Sequence, residues 1–537
     1  MSLWAHSDGA GQRRLVAQLL SIRGVNESTV GRILRLLEPQ QSLTKWAIHN
    51  VLSTQAESVV THVKLPLMDG GEFSWPIACP QDLLPLCLSE CAGFREVFEQ
   101  ALSAQPATFC RPWRLLIYLD EITPGNPLRP DNKRKIMAFY ASWLELGDRL
   151  RLEEYWLTLG VLRTSIIKEV KGNLSAVFRH LMRTLLLGCK SLCNAGVVIE
   201  LAESSLVCFS KYHREVSDEA AGKAVWNFKG AAGIKPCPSC KNVVKMGDDE
   251  DEAAASLASF DASGYLVDLA CCDPHRFDPM QDADLWMAHD ALEQMHSAPG
   301  VSNSALQQAE RACGLSYHSE GLLADAELRA LVKPSSYHRD PMHIMLSGGV
   351  MNSELYLVLR ALSGVMPGFR YSCLKDFCDA SWKWPRHRIK NNIGDVFSDV
   401  RETSSLAAKQ FKAGASEVLA VYPLVRYFLE FIVPADCIPA EKAAFLKCCE
   451  VVDHMQIAKR DPRPEVLKKI KDLTAVFLRL HVQAHGNQHV RPKHHYMWHM
   501  TRQAEEDGFW VDCFVHERKH QLTKDASNHV KTPKALS

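Results

Sequence analysis

The sequence has no excess of charge of either sign and no long hydrophobic run. Its 62 Lys and Arg residues are balanced by 62 Asp and Glu residues, so no overall positive field would hold the chain on nucleic acid or an anionic membrane. The most apolar stretch approaching the roughly 20 residues that span a bilayer, residues 418–434, is interrupted by Pro423, Arg426 and Glu430. The composition argues against a membrane span, and any binding to nucleic acid must come from local basic patches.

The start of the chain lacks the apolar core of a signal peptide, which favours a cytosolic or nuclear compartment. A disulfide framework is not expected there, so the 18 cysteines predict reduced thiols that are buried or that bind metal. Histidine, in contrast, is crowded near the C-terminus, where nine of the 22 residues follow Leu480. This crowding suggests a metal site.

The order of elements predicts an α/β unit followed by helices. Two short helices within residues 12–37 fit either a DNA-binding helix-turn-helix or a plain helical hairpin. After Pro112 the pattern changes to three strand-like runs, an amphipathic helix and a further strand-like run. These elements occupy residues 113–119, 136–146, 155–167, 173–187 and 197–209.

A mostly helical pattern covers residues 288–503 and follows an acidic linker at residues 248–255. Four units are expected: an N-terminal helical region, the first part of an α/β core, a mostly helical insertion and a final core helix. Their boundaries are residues 1–108, 109–240, 241–487 and 488–537.

Two aspartates follow strand-like segments. Asp120 ends the run 113–119, and the carboxyl end of a central strand is where open α/β sheets bind ligands and metals. It equally fits a residue that starts a turn. Asp218 precedes an expected helix at residues 219–226, so taken alone it is more simply an N-cap.

The pair Cys237 and Cys240 forms a C-x-x-C motif, which in a reducing compartment supplies two of the four ligands of a tetrahedral zinc ion. Two sources of further ligands are open. Cys271 or Cys272 with His275 lie nearby in sequence, whereas His494 and His499 lie far downstream.

A third acid, Glu517, stands between His516 and His520 in an H-E-x-x-H string, the motif of zinc proteases. No Glu or His follows at a suitable spacing for a third ligand, and Arg518 and Lys519 would place two cations beside the metal. The protease interpretation is therefore the remote one. Asp340 and His343 fit either a capped helix start or a further acid near a site.

Six short motifs occur in an informative order: YLDEITPGN, VSDEAAGKAVWNFKG, CPSC, DPMH, KHHYMWH and FVHERKH. Together they resemble the catalytic region of DDE-type DNA transposases of the CACTA (En/Spm) and Plavaka-like families, which are related in layout to the V(D)J recombinase core. The resemblance covers roughly residues 112–524. It implies an RNase H-like α/β core interrupted by a large, mostly α-helical insertion between its last strand and last helix.

The resemblance also implies site residues. Asp120, Asp218 and Glu517 match a D-D-E triad that binds two Mg²⁺ or Mn²⁺ ions. A structural zinc site is implied for Cys237, Cys240, His494 and His499. Asp340 and His343 match a supporting D-x-M-H element, and whether Asp340 takes the second catalytic position in place of Asp218 stays open.

The implied function is metal-dependent cleavage and transfer of DNA strands at transposon ends, in the nucleus, by a protein that forms a homo-oligomer on DNA. The alternative is a domesticated, catalytically silent, zinc-containing DNA-binding protein. Phosphate contacts are expected from basic residues, some beside tryptophans, although each stretch equally fits a solvated face. These are Lys133, Arg134, Lys135, Trp382, Trp384, Arg386, Arg388 and the stretch 459–471.

Overall fold

The computed structural model describes residues 58–123, 135–200, 205–245, 266–381 and 393–520. The expected helix-turn-helix lies outside these ranges. So do six of the expected DNA-contacting residues, namely Lys133, Arg134, Trp382, Trp384, Arg386 and Arg388.

The described chain is mixed α/β, as the sequence predicts. Its strands are β1 Val60–Pro66, β2 Glu72–Ala78, β3 Trp113–Ile122, β4 Ile136–Trp143, β5 Leu157–Arg163, β6 Val197–Glu200, β7 Ser205–Cys208, β8 Ser210–Ser217, β9 Val243–Val244, β10 Val267–Asp268 and β11 Tyr337–Arg339. The helices up to β11 are α1 Pro80–Glu90, α2 Ala92–Ala104, α3 Thr164–Glu169, α4 Asn173–Leu186, α5 Glu219–Trp226, α6 Asp282–Ser297 and α7 Asn303–Cys313. Those after β11 are α8 Pro341–Met345, α9 Val350–Val365, α10 Tyr371–Ser381, α11 Asp399–Ala408, α12 Ala415–Phe431, α13 Pro439–Arg460, α14 Pro464–His485 and α15 Pro492–Asp507. A last helical segment covers residues 514–520.

A five-stranded sheet with the order β5-β4-β3-β8-β11 forms the centre of the first core. β3, β4 and β5 are antiparallel neighbours, whereas β8 and β11 run parallel to β3. Every residue of β4 is buried, as expected for a strand that reads as a nearly continuous apolar run. β3, β4, β5 and helix α4 confirm the sequence prediction, although β3 is longer than expected and β4 and β5 are shorter.

The fourth strand of the sheet differs from the prediction. Residues 197–209 form a separate hairpin, β6 paired with β7, and the next segment, β8, enters the sheet instead. β8 has a weak strand pattern because it contains the charged residues Lys211, Arg214 and Glu215. Arg214 is nevertheless buried, because the carboxylate of Asp507 accepts its hydrogen bonds.

The expected helical insertion also contains a strand of the central sheet. β11 lies inside residues 241–487 and pairs with β8 as the edge strand of the central sheet. Helices α9 to α15 then build a second hydrophobic core. α15 also contacts β11, since Gln503 accepts the backbone N–H of Arg339 at 2.9 Å and donates to the carbonyl of Tyr337 at 2.9 Å. Within the described ranges, no helix combines the length and apolarity needed to cross a membrane.

Candidate metal centres

Three aspartates lie at the carboxyl ends of the parallel strands of the central sheet. β3, β8 and β11 are parallel and in register. In each of them, an aspartate follows the last residue that pairs with the neighbouring parallel strand; these are Asp120, Asp218 and Asp340. Because neighbouring strands lie about 4.8 Å apart, this register brings the three backbones together. The carboxyl end of the parallel strands is where α/β sheets bind their ligands.

Both carboxylate oxygens of Asp120 accept hydrogen bonds. Its Oδ2 atom accepts a hydrogen bond from the Tyr118 hydroxyl at 3.0 Å, and its Oδ1 atom accepts the backbone N–H of Glu121 at 2.7 Å. Burial, and then the negative charges of Asp218 and Glu517, raise the pKa of the Asp120 carboxyl to about 7. Asp120 therefore lies within electrostatic reach of both other predicted triad residues, and we call Asp120, Asp218 and Glu517 the acidic site.

Asp218 is half-buried and begins α5. Its Oδ1 atom accepts the backbone N–H of Ala221 at 2.6 Å, which confirms the predicted N-cap. Capping and membership of the acidic site are compatible, because the cap fixes the carboxylate at the sheet edge beside Asp120.

Glu517 is exposed on the segment 514–520, which its histidine neighbours anchor to the sheet. The His516 ring stacks on Tyr118 with centroids 3.5 Å apart and meets Trp156 edge-on at 4.1 Å. Among the described residues, no group of three or more metal donors includes His516 or His520. The H-E-x-x-H string is thus arranged to pack its histidines against aromatic rings, which does not favour the protease interpretation.

Asp340 is buried, and both of its carboxylate oxygens are occupied. Oδ2 contacts His343 Nδ1 at 2.6 Å and accepts the His343 backbone N–H at 2.8 Å, while Oδ1 accepts the backbone N–H of Cys513 at 3.0 Å. Burial raises the pKa of Asp340, but the contacts with His343 outweigh it and lower the pKa overall. Asp340 therefore positions His343 and the chain before Glu517.

His343 lies between the aspartates. Burial lowers the pKa of its imidazole, but the hydrogen bond to Asp340 and the nearby carboxylates of Asp218 and Asp120 raise it overall. The His343 imidazole thus holds a proton more tightly than an ordinary histidine does, beside the acidic site.

A second site gathers Cys237, Cys240, His495 and His499, whose donor atoms all lie within 4.8 Å of one another. We call these four residues the Cys/His cluster. The Cys237 Sγ to His499 Nε2 distance is 3.3 Å, the Cys240 Sγ to His495 Nε2 distance is 3.4 Å, and the two Nε2 atoms are 3.2 Å apart. A tetrahedral zinc ion with bonds of about 2.3 Å to sulfur and 2.0 Å to nitrogen needs donor separations of roughly 3.3–3.6 Å. The cluster fits a structural zinc ion.

The prediction of His494 as a ligand is wrong in this structure, and His495 occupies the position instead. A helix turns about 100° per residue, so residues four apart lie on one face, whereas residues five apart diverge by about 140°. His495 and His499 have the first spacing. His494 turns away, with its ring 6.3 Å from that of Phe477 and 4.5 Å from that of His481. The H-x-x-x-H spacing was a usable sequence signal.

A buried arginine connects the two sites. Arg339, the last residue of β11, contacts Cys237 Sγ through Nη2 at 3.9 Å, and its guanidinium lies 4.0 Å from the ring centroid of Tyr496 on α15. Asp340 follows directly in the chain. The Cys/His cluster therefore fixes α15 against the strand end that supports the acidic site. This contact had no signal in the sequence.

The alternative zinc ligands lie elsewhere. The donor group around Cys237 contains none of Cys271, Cys272 and His275. No protein-family model matches this chain. No curated protein matches it either. Its function is therefore inferred from the geometry of the two sites.

The basic residues within the described ranges have mixed environments. Lys135 pairs with Glu121, Lys459 with Asp512 at 2.6 Å and Lys471 with Glu505 at 2.6 Å. Lys468 and Lys469 are exposed on α14. These two lysines are among the exposed basic residues of the stretch 459–471 that could contact a phosphate.

Proposed function

We propose that the protein is a metal-dependent DNA transposase, or a close derivative of one, with Asp120, Asp218 and Glu517 as its catalytic acids. The observation that carries the proposal is that Asp120 and Asp218 follow matching positions of two adjacent parallel strands. The charges of Asp218 and Glu517 both raise the pKa of Asp120, which agrees with this placement. Crowded carboxylates repel one another, and bound divalent cations would remove the repulsion.

The strand order supports an RNase H-like core. Three antiparallel strands are followed by two that run parallel to the first, and the proposed catalytic aspartates lie on the central strand and its parallel neighbour. The third acid, Glu517, comes from the helical segment 514–520 after the helical layer. This segment packs back on β3, where His516 stacks on Tyr118. This arrangement agrees with the layout that the family resemblance implies.

The carboxylates of the acidic site suit phosphodiester chemistry. Carboxylate oxygens are the ligands that Mg²⁺ and Mn²⁺ prefer, and such ions stabilise the attacking and leaving oxygens of an in-line displacement. Asp120 would help to hold both ions, and Asp218 and Glu517 would each help to hold one. Tyr118 and the Glu121 N–H hold the Asp120 carboxylate in a fixed orientation.

A structural zinc ion in the Cys/His cluster is part of the proposal. It would tie the segment after Asp218 to α15, and so set where the segment with Glu517 begins. DNA is the proposed substrate, which implies a nuclear location and assembly of copies on DNA ends.

The test is cleavage of supercoiled plasmid by the purified full chain with Mn²⁺ or Mg²⁺. We expect nicking that Asp120→Ala lowers at least about a hundredfold. Asp436→Asn, at an exposed aspartate outside both sites, is the matched control. Equal nicking by Asp120→Ala would refute the assignment of the acids. A folded, zinc-loaded protein that binds DNA without nicking it would favour the silent alternative.

A further inference from the structure

A third group of metal donors lies in the helical layer, away from the acidic site and the Cys/His cluster. Glu354 is on α9, and His481 and His485 stand four residues apart on α14. One donor atom from each lies within 4.8 Å of the others. We call these three residues the Glu/His cluster.

The cluster is enclosed by protein. The side chains of Glu354 and His481 are fully buried, and that of His485 is 6% exposed. Glu354 Oε1 contacts His481 Nδ1, and Glu354 Oε2 lies 3.9 Å from His485 Nε2. Apolar residues of the second core surround the helices that carry the three side chains.

Three polar atoms of the cluster are buried without a hydrogen-bond partner: Glu354 Oε2, His481 Nε2 and His485 Nε2. Buried polar atoms are nearly always satisfied, and an unsatisfied one calls for an explanation such as a missing water or ion. Here three such atoms belong to side chains that each have a donor atom within 4.8 Å of the others. One of the three belongs to a carboxylate, whose burial is costly unless a positive charge compensates it.

We propose that Glu354, His481 and His485 bind a second transition-metal ion, independently of the proposed activity. Two imidazoles four residues apart on a helix and one carboxylate form a His₂Glu set, which suits zinc and similar divalent ions. A divalent cation neutralises the carboxylate and occupies the unpaired atoms. Because the cluster is enclosed, the ion has a structural role, joining α9 to α14.

His494 borders this site. Its ring lies 4.5 Å from that of His481, and its Nδ1 atom accepts the backbone N–H of Arg491 at 3.1 Å. In the neutral ring the proton is then on Nε2, which is buried and lacks a partner. The adjacent His494 and His495, which differ in direction by about 100° around α15, thus face two different candidate metal sites.

The test is metal analysis of the purified full chain, followed by exchange with Co²⁺. We expect about two equivalents of tightly bound transition metal per wild-type chain, one for each cluster. Glu354→Gln combined with His485→Gln should lose about one equivalent. This variant should keep the thiolate-to-cobalt charge-transfer band, because the Cys/His cluster is intact. His296→Gln, at an exposed histidine on α6, is the control and should lose nothing.

Two results would overturn the proposal. The first is a wild-type chain that holds only about one equivalent of metal, all of it with sulfur ligands; a buried water would then satisfy the Glu/His cluster. The second is a doubly substituted chain that keeps its full metal content. If that variant does not fold, the wild-type stoichiometry and the number of sulfur ligands per metal from X-ray absorption decide.

Discussion

The carboxylate of Asp340 accepts the backbone N–H of Cys513 at 3.0 Å, across 173 residues of chain. This bond joins the end of β11 to the segment that leads into Glu517. The other oxygen of Asp340 holds His343, so one buried side chain positions groups on two sides of the acidic site.

Asp340→Ala should lower the free energy of unfolding by about 3 kcal/mol, because it leaves a buried N–H and an imidazole without their partner. Plasmid nicking should also fall, since Glu517 loses its support. Urea unfolding at pH 7 measures the first effect, with Asp436→Ala as the control. A loss no larger than that of the control would contradict the positioning role.

Asp120→Asn should stabilise the protein in buffer without Mg²⁺ while abolishing nicking. Burial, Asp218 and Glu517 raise the pKa of the wild-type carboxyl to about 7, so folding loses stability as the pH rises from about 4, the pKa of the unfolded chain, to about 7, and the full cost persists above that pH. At pH 8 we expect a gain of up to about 4 kcal/mol in the free energy of unfolding.

Added Mg²⁺ should raise the melting temperature of the wild type but not that of Asp120→Asn. Thermal unfolding with and without Mg²⁺ tests this expectation. An equal response of both chains would show that Mg²⁺ does not bind at Asp120.

Asp507 should stabilise the fold in a way that acid removes. Burial raises the pKa of its carboxyl, but His213 and Arg214 lower it overall to about 2. Because the folded pKa is below that of the unfolded chain, near 4, the stabilisation is complete above about pH 4 and is lost as the pH falls toward 2.

Asp507→Asn should therefore cost about 2 kcal/mol at pH 7 and progressively less below pH 4. Urea unfolding between pH 7 and pH 3 measures the difference. Asp472→Asn, on the exposed face of α14, should show no such trend, and a cost for Asp507→Asn that stays constant with pH would count against the ion pair.

The two adjacent histidines of α15 should have separable effects on metal binding. His495→Ala should remove the thiolate-to-cobalt band, because His495 Nε2 lies 3.4 Å from Cys240 Sγ. His494→Ala should preserve that band, since its ring faces His481. The opposite result would restore the ligand assignment that the sequence alone suggested.

Much of this arrangement could be predicted from local pattern. The apolar runs of β3 and β4, the amphipathic spacing of α4 and the N-cap at Asp218 depend on residues within a few positions of one another. β8 was harder, because its charge on Arg214 is tolerated only when Asp507 arrives from far along the chain. β11 could not be predicted for a different reason, because three residues carry too little periodicity to mark a strand.

The sequence by itself determined which side chains are available: three acids in a recognisable order, a C-x-x-C pair and H-x-x-x-H pairs on α14 and α15. Only the tertiary structure decided which of them meet. In it, His495 rather than His494 faces the cysteines, and the Asp340 carboxylate accepts the backbone N–H of Cys513. It also brings Glu354 to His481 across 127 residues. Local pattern fixes the phase of a helix or strand, but a site forms where packing brings distant segments together, and the energy of that packing comes from the whole core.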